Sequence, residues 1–133
     1  MQPERVYPVA LIVHPDAAAR ATIVKSLRDA GFQAIGVAGF EAAKHLLGLE
    51  PIDVLVTEAR LGDFHGLHLV LLARSANPAV FAAVLTAGKD SVLERDVERA
   101  GATLFVGDWT ESLVADISRR IALSGPSSGS CNN

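Results

Sequence analysis

Two imidazoles and one carboxylate are the side chains of this sequence best suited to chemistry. His14 directly follows the apolar run 9–13, Glu58 directly follows the apolar run 54–57, and His65 lies in the segment after that second run. Imidazole and carboxylate groups suit a transition metal such as Zn²⁺. Their spacing forms no local metal-binding signature, so the alternative is that all three belong to surface loops. The choice depends on whether the fold brings the ends of these runs together.

Short apolar runs alternate with longer segments of helical spacing along the chain. The runs predict five strands, at 9–13, 33–37, 54–57, 80–86 and 103–106. The segments between and after them predict five helices, at 17–30, 40–49, 67–76, 91–100 and 110–123. Strict alternation is typical of crossover units, in which a parallel sheet is covered on both faces. The sequence therefore predicts an α/β fold with a doubly wound, five-stranded parallel sheet.

Capping residues support the helix assignments. Asp16 is a plausible N-cap for the first helix, and Gly31 is a plausible stop. Ser91 and Glu94 form a capping-box pattern, which predicts Ser91 as the N-cap of the fourth helix. Gly101 follows that helix as its stop.

Length, charge and cysteine usage exclude several classes of function. The chain has 133 residues, of which 50% are hydrophobic, and a formal net charge of −3. That length suits one domain, predicted at 1–124 and followed by a flexible linker or tail at 125–133. A nucleic-acid-binding domain would carry a basic face, and a membrane helix would need about 18 apolar residues in a row. We expect a cytoplasmic protein without nucleic-acid or membrane contacts and, because Cys131 is the single cysteine, without an internal disulfide.

Four segments, taken in order, resemble the receiver domain of bacterial two-component response regulators. They are Ala10–Arg20 (ALIVHPDAAAR), Pro51–Leu67 (PIDVLVTEARLGDFHGL), Val84–Ala87 (VLTA) and Ala100–Ala102 (AGA). The resemblance implies a flavodoxin-like (βα)5 fold and a role in signal transduction. It also implies a functional site beyond the carboxyl ends of the strands, where ligands of open parallel sheets gather.

The resemblance places the family's phosphorylation site on residues of unexpected type. The acidic pair that holds Mg²⁺ in the family falls on His14 and Pro15, and the phosphoacceptor aspartate falls on Glu58. Mg²⁺ prefers oxygen ligands, which these two positions do not supply. Glu58 is one methylene longer than aspartate, which displaces the acceptor oxygen by about an ångström and can cost on the order of a hundredfold in rate.

The remaining positions of the family site also differ from the residues that phosphorylation requires. The family lysine falls on Asp108 and the proline after it falls on Trp109, so only the switch threonine, Thr86, is retained. Two like charges about 4 Å apart repel by roughly 4 kcal/mol at an effective dielectric near 20. Asp108 therefore opposes a phosphoryl group where a lysine would attract it. By resemblance, Phe105 is the aromatic residue nearest the role of repacking when the threonine moves.

These departures predict a degenerate receiver, or pseudo-receiver, that binds no Mg²⁺, needs no cofactor and is not an enzyme. Two alternatives remain: an unconventional receiver phosphorylated on Glu58, and a small-ligand or metal-binding module on the same fold. Glu58 is also a candidate mimic of the phosphorylated state, although the cations such a mimic would contact are missing.

A protein partner is the expected target of such a module. A fused output domain is one candidate and a second copy of the chain is another. Trp109 is either an edge-of-core residue or an exposed anchor for that partner. Leu71 and Leu72 lie near the outer side of an unusually apolar helix and are a second candidate interface.

Overall fold

Five parallel strands and five helices alternate along the chain, as the apolar pattern predicts. The computed structural model describes residues 8–107 and 110–124. Asp108, Trp109 and the tail 125–133 lie outside the described residues, so the assignments made for them stay predictions.

The strands of the main sheet are β1 (Val9–Val13), β2 (Gln33–Val37), β3 (Val54–Glu58), β6 (Phe81–Thr86) and β7 (Thr103–Val106). The helices are α1 (Ala17–Asp29), α2 (Phe40–Leu47), α3 (Gly66–Ala76), α4 (Ser91–Arg99) and α5 (Thr110–Ser124). Two further short strands are β4 (Arg60–Leu61) and β5 (Phe64–His65).

The order of strands in the sheet is β2-β1-β3-β6-β7, and every neighbouring pair is parallel. The chain moves outward from β1 to β2, then crosses back to β3 on the other side of β1. The strand order thus reverses between β1 and β3, and a crevice opens at the carboxyl ends of strands at such a point. The predicted doubly wound class is confirmed.

Two apolar clusters form the core, one on each face of the sheet. One joins strand residues such as Leu11, Leu55 and Val84 to α2, α3 and α4. The other joins the alternate strand residues, such as Ile12 and Val56, to α1 and α5. Because both faces are covered, β1 is buried along its whole length, which explains its unbroken apolar run.

A small antiparallel hairpin, β4–β5, occupies the segment between β3 and α3 that the sequence pattern left as a loop. Gly62 is the first of its two turn residues and has φ of 66°, which only glycine adopts readily. The ring of Phe64 stacks on that of Phe40 in α2, with centroids 4.3 Å apart and planes inclined by 8°. The hairpin is therefore anchored to α2 by an aromatic pair, a contact between segments distant in sequence.

Element boundaries differ from the prediction in small, explicable ways. The helix α2 ends at Leu47 because Gly48 caps it, two residues earlier than expected. The predicted N-cap of α4, Ser91, is wrong: the helix already begins at Ser91. Its cap is Asp90, whose Oδ1 accepts the backbone N–H groups of Val92 and Leu93 at 3.0 and 3.1 Å. No helix within 8–107 and 110–124 has the length and apolar character needed to cross a membrane.

The cap of α4 supplies a test of the fold at single-residue level. We expect Asp90→Ala to lower the free energy of unfolding by about 1 kcal/mol, because two backbone N–H groups lose their acceptor. Ser91→Ala is the matched control and should change the free energy of unfolding by only a few tenths of the change in Asp90→Ala. Urea denaturation followed by circular dichroism measures both. An equal loss in the two variants would contradict the assignment of the cap to Asp90.

Candidate functional site

The strand register brings His14 and Glu58 together. Val13 of β1 pairs with Thr57 of β3, so the residues that follow them are neighbours at the carboxyl ends of adjacent strands. The Nε2 atom of His14 lies 3.1 Å from Oε2 of Glu58. This pair occupies the point where the strand order reverses, which is the expected location of a site in this class of fold.

Hydrogen bonds fix the protonation pattern of His14. Its Nδ1 atom accepts the backbone N–H of Asp16 at 3.1 Å, so this nitrogen carries no proton. The proton of the neutral ring therefore lies on Nε2, which donates to Glu58. The main chain of His14 is held as well, since its N–H donates to the carbonyl of Val37 and its carbonyl accepts from Nη1 of Arg20 at 2.8 Å. With only 8% of its surface exposed, His14 is a fixed donor to the carboxylate.

Glu58 is a half-buried carboxylate with an altered affinity for protons. Burial raises the pKa of Glu58 above its ordinary value, because the charged form loses contact with water. The imidazole of His14 opposes this effect by its electrostatic attraction and its hydrogen bond. The desolvation prevails, so the charged form of Glu58 is less stable in the folded protein than in water.

A cavity of about 350 Å³ opens beside Glu58, between the β4–β5 hairpin and the start of α4. Thr86 lies on its wall, and the Thr86 hydroxyl donates to the carbonyl of Gly88 at 3.3 Å rather than to Glu58. The position next to His14 offers nothing to this space, since Pro15 is exposed and has no polar side chain. The charged or titratable residues that line the cavity are Glu58, Arg60, His65, Asp90 and Asp96.

The structure pairs two of the three residues that the sequence offered as metal ligands. His14 and Glu58 meet, whereas Nδ1 of His65 accepts the backbone N–H of Leu67 at 3.1 Å and so caps α3. Within residues 8–107 and 110–124, no group of three His, Cys, Asp or Glu side chains is arranged to hold a metal ion. Within this described part of the chain, the geometry gives no support to the hypothesis of a His14–Glu58–His65 metal site.

The predicted switch residues Thr86 and Phe105 lie on opposite faces of the sheet, and their switch role stays a prediction. Phe105 is buried in the core cluster formed with α1 and α5, and its register partner is Leu85. Side chains alternate along a strand, so Thr86 points to the opposite face. Its register partner is Val106, whose side chain is 39% exposed.

The two leucines proposed as an interface differ in exposure. Leu71 is 57% exposed on the outer side of α3. Leu72 is partly buried and packs against the core beneath the helix, so its assignment to the outer side is wrong. A helix on a sheet buries a stripe wider than one residue per turn, which accounts for Leu72.

The arrangement of elements is that of known receiver domains. No protein-family model matches this chain, and no curated protein sequence matches it. Among solved structures, it is similar to a response regulator from Thermotoga maritima, with 23% identity, a TM-score of 0.76 and coverage of 87% of this chain and 98% of that one. It is similar to HP1043, an orphan response regulator of H. pylori, with 20% identity, a TM-score of 0.77 and coverage of 89% and 99%. The chemotaxis response regulator CheY4 of Vibrio cholerae matches with 18% identity, a TM-score of 0.75 and coverage of 86% and 98%. At these identities the likeness defines the fold: the chain has the flavodoxin-like receiver fold.

The raised pKa of Glu58 predicts how stability depends on pH. In the unfolded chain a glutamate releases its proton near pH 4.3, whereas folded Glu58 keeps it to a higher pH. Between these two values the unfolded state binds fewer protons, so the Glu58 contribution to stability is present at low pH and is lost as pH rises through the folded pKa. Glu58→Gln abolishes this titration while its amide oxygen still accepts from His14.

We therefore expect the stability of Glu58→Gln, relative to wild type, to increase as pH rises from about 4 through the pKa of folded Glu58. Urea denaturation at stepped pH measures the difference between the two proteins. Glu98→Gln, an exposed residue of α4, is the control and should follow the wild-type profile. A constant offset between Glu58→Gln and wild type at every pH would contradict the assignment of the titration to Glu58.

Proposed function

We propose that this chain is a degenerate receiver, a non-enzymatic signalling module that contacts a protein partner without phosphorylation and without Mg²⁺. The observation that carries the proposal is the 3.1 Å contact between His14 and Glu58. By resemblance, these positions belong to the Mg²⁺-binding pair and the phosphoacceptor of the family. In this chain an imidazole donor occupies the space beside the carboxylate that a hard cation would need.

Phosphoryl transfer to a carboxylate depends on cations that neutralise the phosphoryl oxygens and on an acceptor oxygen in the right position. His14 brings a nitrogen whose proton is directed at Glu58, and Pro15 brings no ligand. The acceptor oxygen Oε2 is itself engaged by that proton. Asp108, in the position of the family lysine by resemblance, would add a negative charge. Each of these features disfavours phosphoryl transfer to Glu58. Together they support a signalling module that works without phosphorylation.

Receivers with this fold are described in several states, so the fold alone does not decide between phosphorylated and unphosphorylated signalling. One similar structure is a BeF3-activated DrrB receiver domain, with 20% identity and a TM-score of 0.75. Another, from Burkholderia pseudomallei, has a phosphorylated aspartic acid and a calcium ion. A third similar structure is that of HP1043, which is described as an orphan response regulator. The argument therefore depends on the residues of this chain at the site.

The proposed partner is a protein in a signalling pathway, in the cytoplasm. A fused output domain would fit, because the match to the longer DrrB protein, an OmpR/PhoB homologue, covers 88% of this chain and 54% of that one. A second copy of the chain is an alternative partner. Leu71 is the most exposed apolar residue of α3 and a candidate contact, together with Trp109.

A phosphodonor assay tests the chemical part of the proposal. After incubation with acetyl phosphate and Mg²⁺, intact-mass spectrometry should find no phosphoryl adduct on the wild-type chain. The variant His14→Asp, Pro15→Asp, Glu58→Asp, Asp108→Lys rebuilds the family site by resemblance and should gain one acid-labile phosphoryl group. A stoichiometric adduct on Glu58 of the wild-type chain would overturn the proposal and favour the unconventional receiver.

Substitutions on the candidate contacts test the interaction. Once affinity capture with this chain has identified the partner, Trp109→Ala and Leu71→Asp should each weaken binding by roughly thirtyfold, as expected for an anchor worth about 2 kcal/mol. Leu49→Asp is the control, since Leu49 is 66% exposed on the loop after α2. Surface plasmon resonance measures the affinities, and thermal unfolding should stay within a few degrees of wild type. A large loss of stability in Trp109→Ala would assign Trp109 to the core instead.

A further inference from the structure

Two histidines hold the backbone at the starts of helices beside the candidate site. Just before α1, Nδ1 of His14 accepts the backbone N–H of Asp16 at 3.1 Å. At the N-cap of α3, Nδ1 of His65 accepts the backbone N–H of Leu67, also at 3.1 Å. His14 contacts the carboxylate of Glu58, and His65 lines the cavity beside it. The same bond, from an imidazole to the amide two residues further along, therefore occurs twice around one site.

An imidazole acceptor differs from a carboxylate cap in its response to protons. Asp90 caps α4 through a carboxylate oxygen, and a carboxyl group that takes up a proton still has capacity to accept. A histidine accepts through the same nitrogen that a second proton must occupy, because both nitrogens of the charged ring are donors. The bond to the backbone therefore exists only while the ring is neutral. Histidine is also the side chain that ordinarily changes charge near neutral pH.

At His14 a second proton has opposite effects on the two sides of the ring. It would set an Nδ1–H donor against the N–H donor of Asp16, while strengthening the contact of Nε2 with Glu58. The side chain is buried, so water cannot readily supply the missing acceptor. The ring then stays with the carboxylate and the backbone at Asp16 has to move. Arg20 limits this movement, because its Nη1 donates to the carbonyl of His14 at 2.8 Å and keeps that residue attached to α1.

At His65 a second proton acts against the start of α3 alone. The ring is exposed, so water can solvate its charged form. The amide of Leu67 loses its acceptor, and a positive charge appears where the helix dipole is already positive. The new charge also faces Arg60, the register partner of His65 in the hairpin, and like charges in that arrangement repel.

We propose that His14 and His65 form a proton-operated device at the carboxyl edge of the sheet. Each neutral ring holds the backbone at the start of a helix, and a second proton on either ring releases it. Proton uptake thereby loosens the entries to α1 and α3, and a module that contacts a protein partner presents a different surface as pH falls. That consequence rests on the proposed function, whereas the device itself rests on the two hydrogen bonds.

Other charged or titratable groups around the two rings have to be separated from them in any measurement. They are Asp16 and Arg20 near His14, Arg60, Asp63 and His68 near His65, and Glu58, Asp90 and Asp96 around the cavity. Glu58 is the most important of them, because it contacts His14 directly and burial raises its pKa. Glu58→Gln removes its titration and keeps an acceptor for His14.

Nuclear magnetic resonance between about pH 5 and 8, the range in which histidines titrate, tests the proposal. The imidazole signals report the protonation of each ring, and the amide signals of Asp16 and Leu67 report the two bonds. As pH falls, we expect each amide proton to shift upfield with the midpoint of its own histidine. Its exchange with water should become about fivefold faster, beyond the intrinsic pH dependence, as expected for the loss of one hydrogen bond. The neutral rings should carry their proton on Nε2.

Asparagine variants separate the two halves of the device, because an amide oxygen accepts without titrating. His14→Asn should abolish the pH-dependent shift of Asp16 and leave that of Leu67. His65→Asn should abolish the shift of Leu67 and leave that of Asp16. His45→Asn, at an exposed histidine of α2 outside the cavity, is the matched control and should preserve both.

Three results would overturn the proposal. The first is that the amides of Asp16 and Leu67 stay unchanged while the rings titrate, and the second is a neutral ring protonated on Nδ1. The third is that, in Glu58→Gln, the ring of His14 takes up its second proton without a shift of Asp16. If His14→Asn does not fold, the wild-type titration and Glu58→Gln still decide. The measurement uses neither a phosphodonor nor a partner, so its failure is distinguishable from failure of the proposed function.

Discussion

The register between β1 and β3 is the constraint on which the candidate site depends. Those two strands meet where the strand order reverses, and their pairing sets His14 beside Glu58. The hydrogen bond between them then fixes what each group can do. His14 has one nitrogen committed to the backbone of Asp16 and the other to the carboxylate, so it cannot turn toward the cavity without breaking both bonds. The core clusters on the two faces hold the strands in this register, so packing far from the site determines its chemistry.

The carboxylate of Glu58 finds its hydrogen-bond donor within the protein. A carboxylate at the end of a buried strand is expensive to desolvate, and it needs a donor or a cation nearby. Here the donor is the imidazole of His14, which stabilises the carboxylate by its hydrogen bond and its electrostatic attraction. The pKa of Glu58 stays raised under this arrangement because burial outweighs the effect of His14. The proposed loss of phosphoryl chemistry thus follows from how one half-buried charge is accommodated.

The alternation of apolar runs and helical segments was enough to predict the fold. Strands buried on both faces appear in the sequence as continuous apolar runs, and capping residues and the spacing of apolar side chains indicate the helices. The positions of His14 and Glu58 at strand ends could also be predicted. Their contact could not be read from spacing, because it arises from strand order, which joins residues distant in the chain.

Local sequence patterns did not determine the tertiary contacts of some features or the face of the sheet on which some side chains lie. The β4–β5 hairpin is anchored through the stacking of Phe64 on Phe40, a tertiary contact. The placement of Phe105 and Thr86 on opposite faces follows from the alternation of side chains along the strands, which makes Val106 the register partner of Thr86. Asp90 and Ser91 are adjacent potential caps, and only the path of the chain into α4 distinguishes them.

The stacked pair of Phe40 and Phe64 has a mechanical consequence for the candidate site. An aromatic pair is worth about 0.5–1.5 kcal/mol beyond its buried area, so it ties the segment between β3 and α3 to α2. Arg60 and His65 of that segment line the cavity beside Glu58. Phe64 therefore restrains one wall of the cavity without taking part in its chemistry, and the stiffness of that wall depends on a contact made outside it.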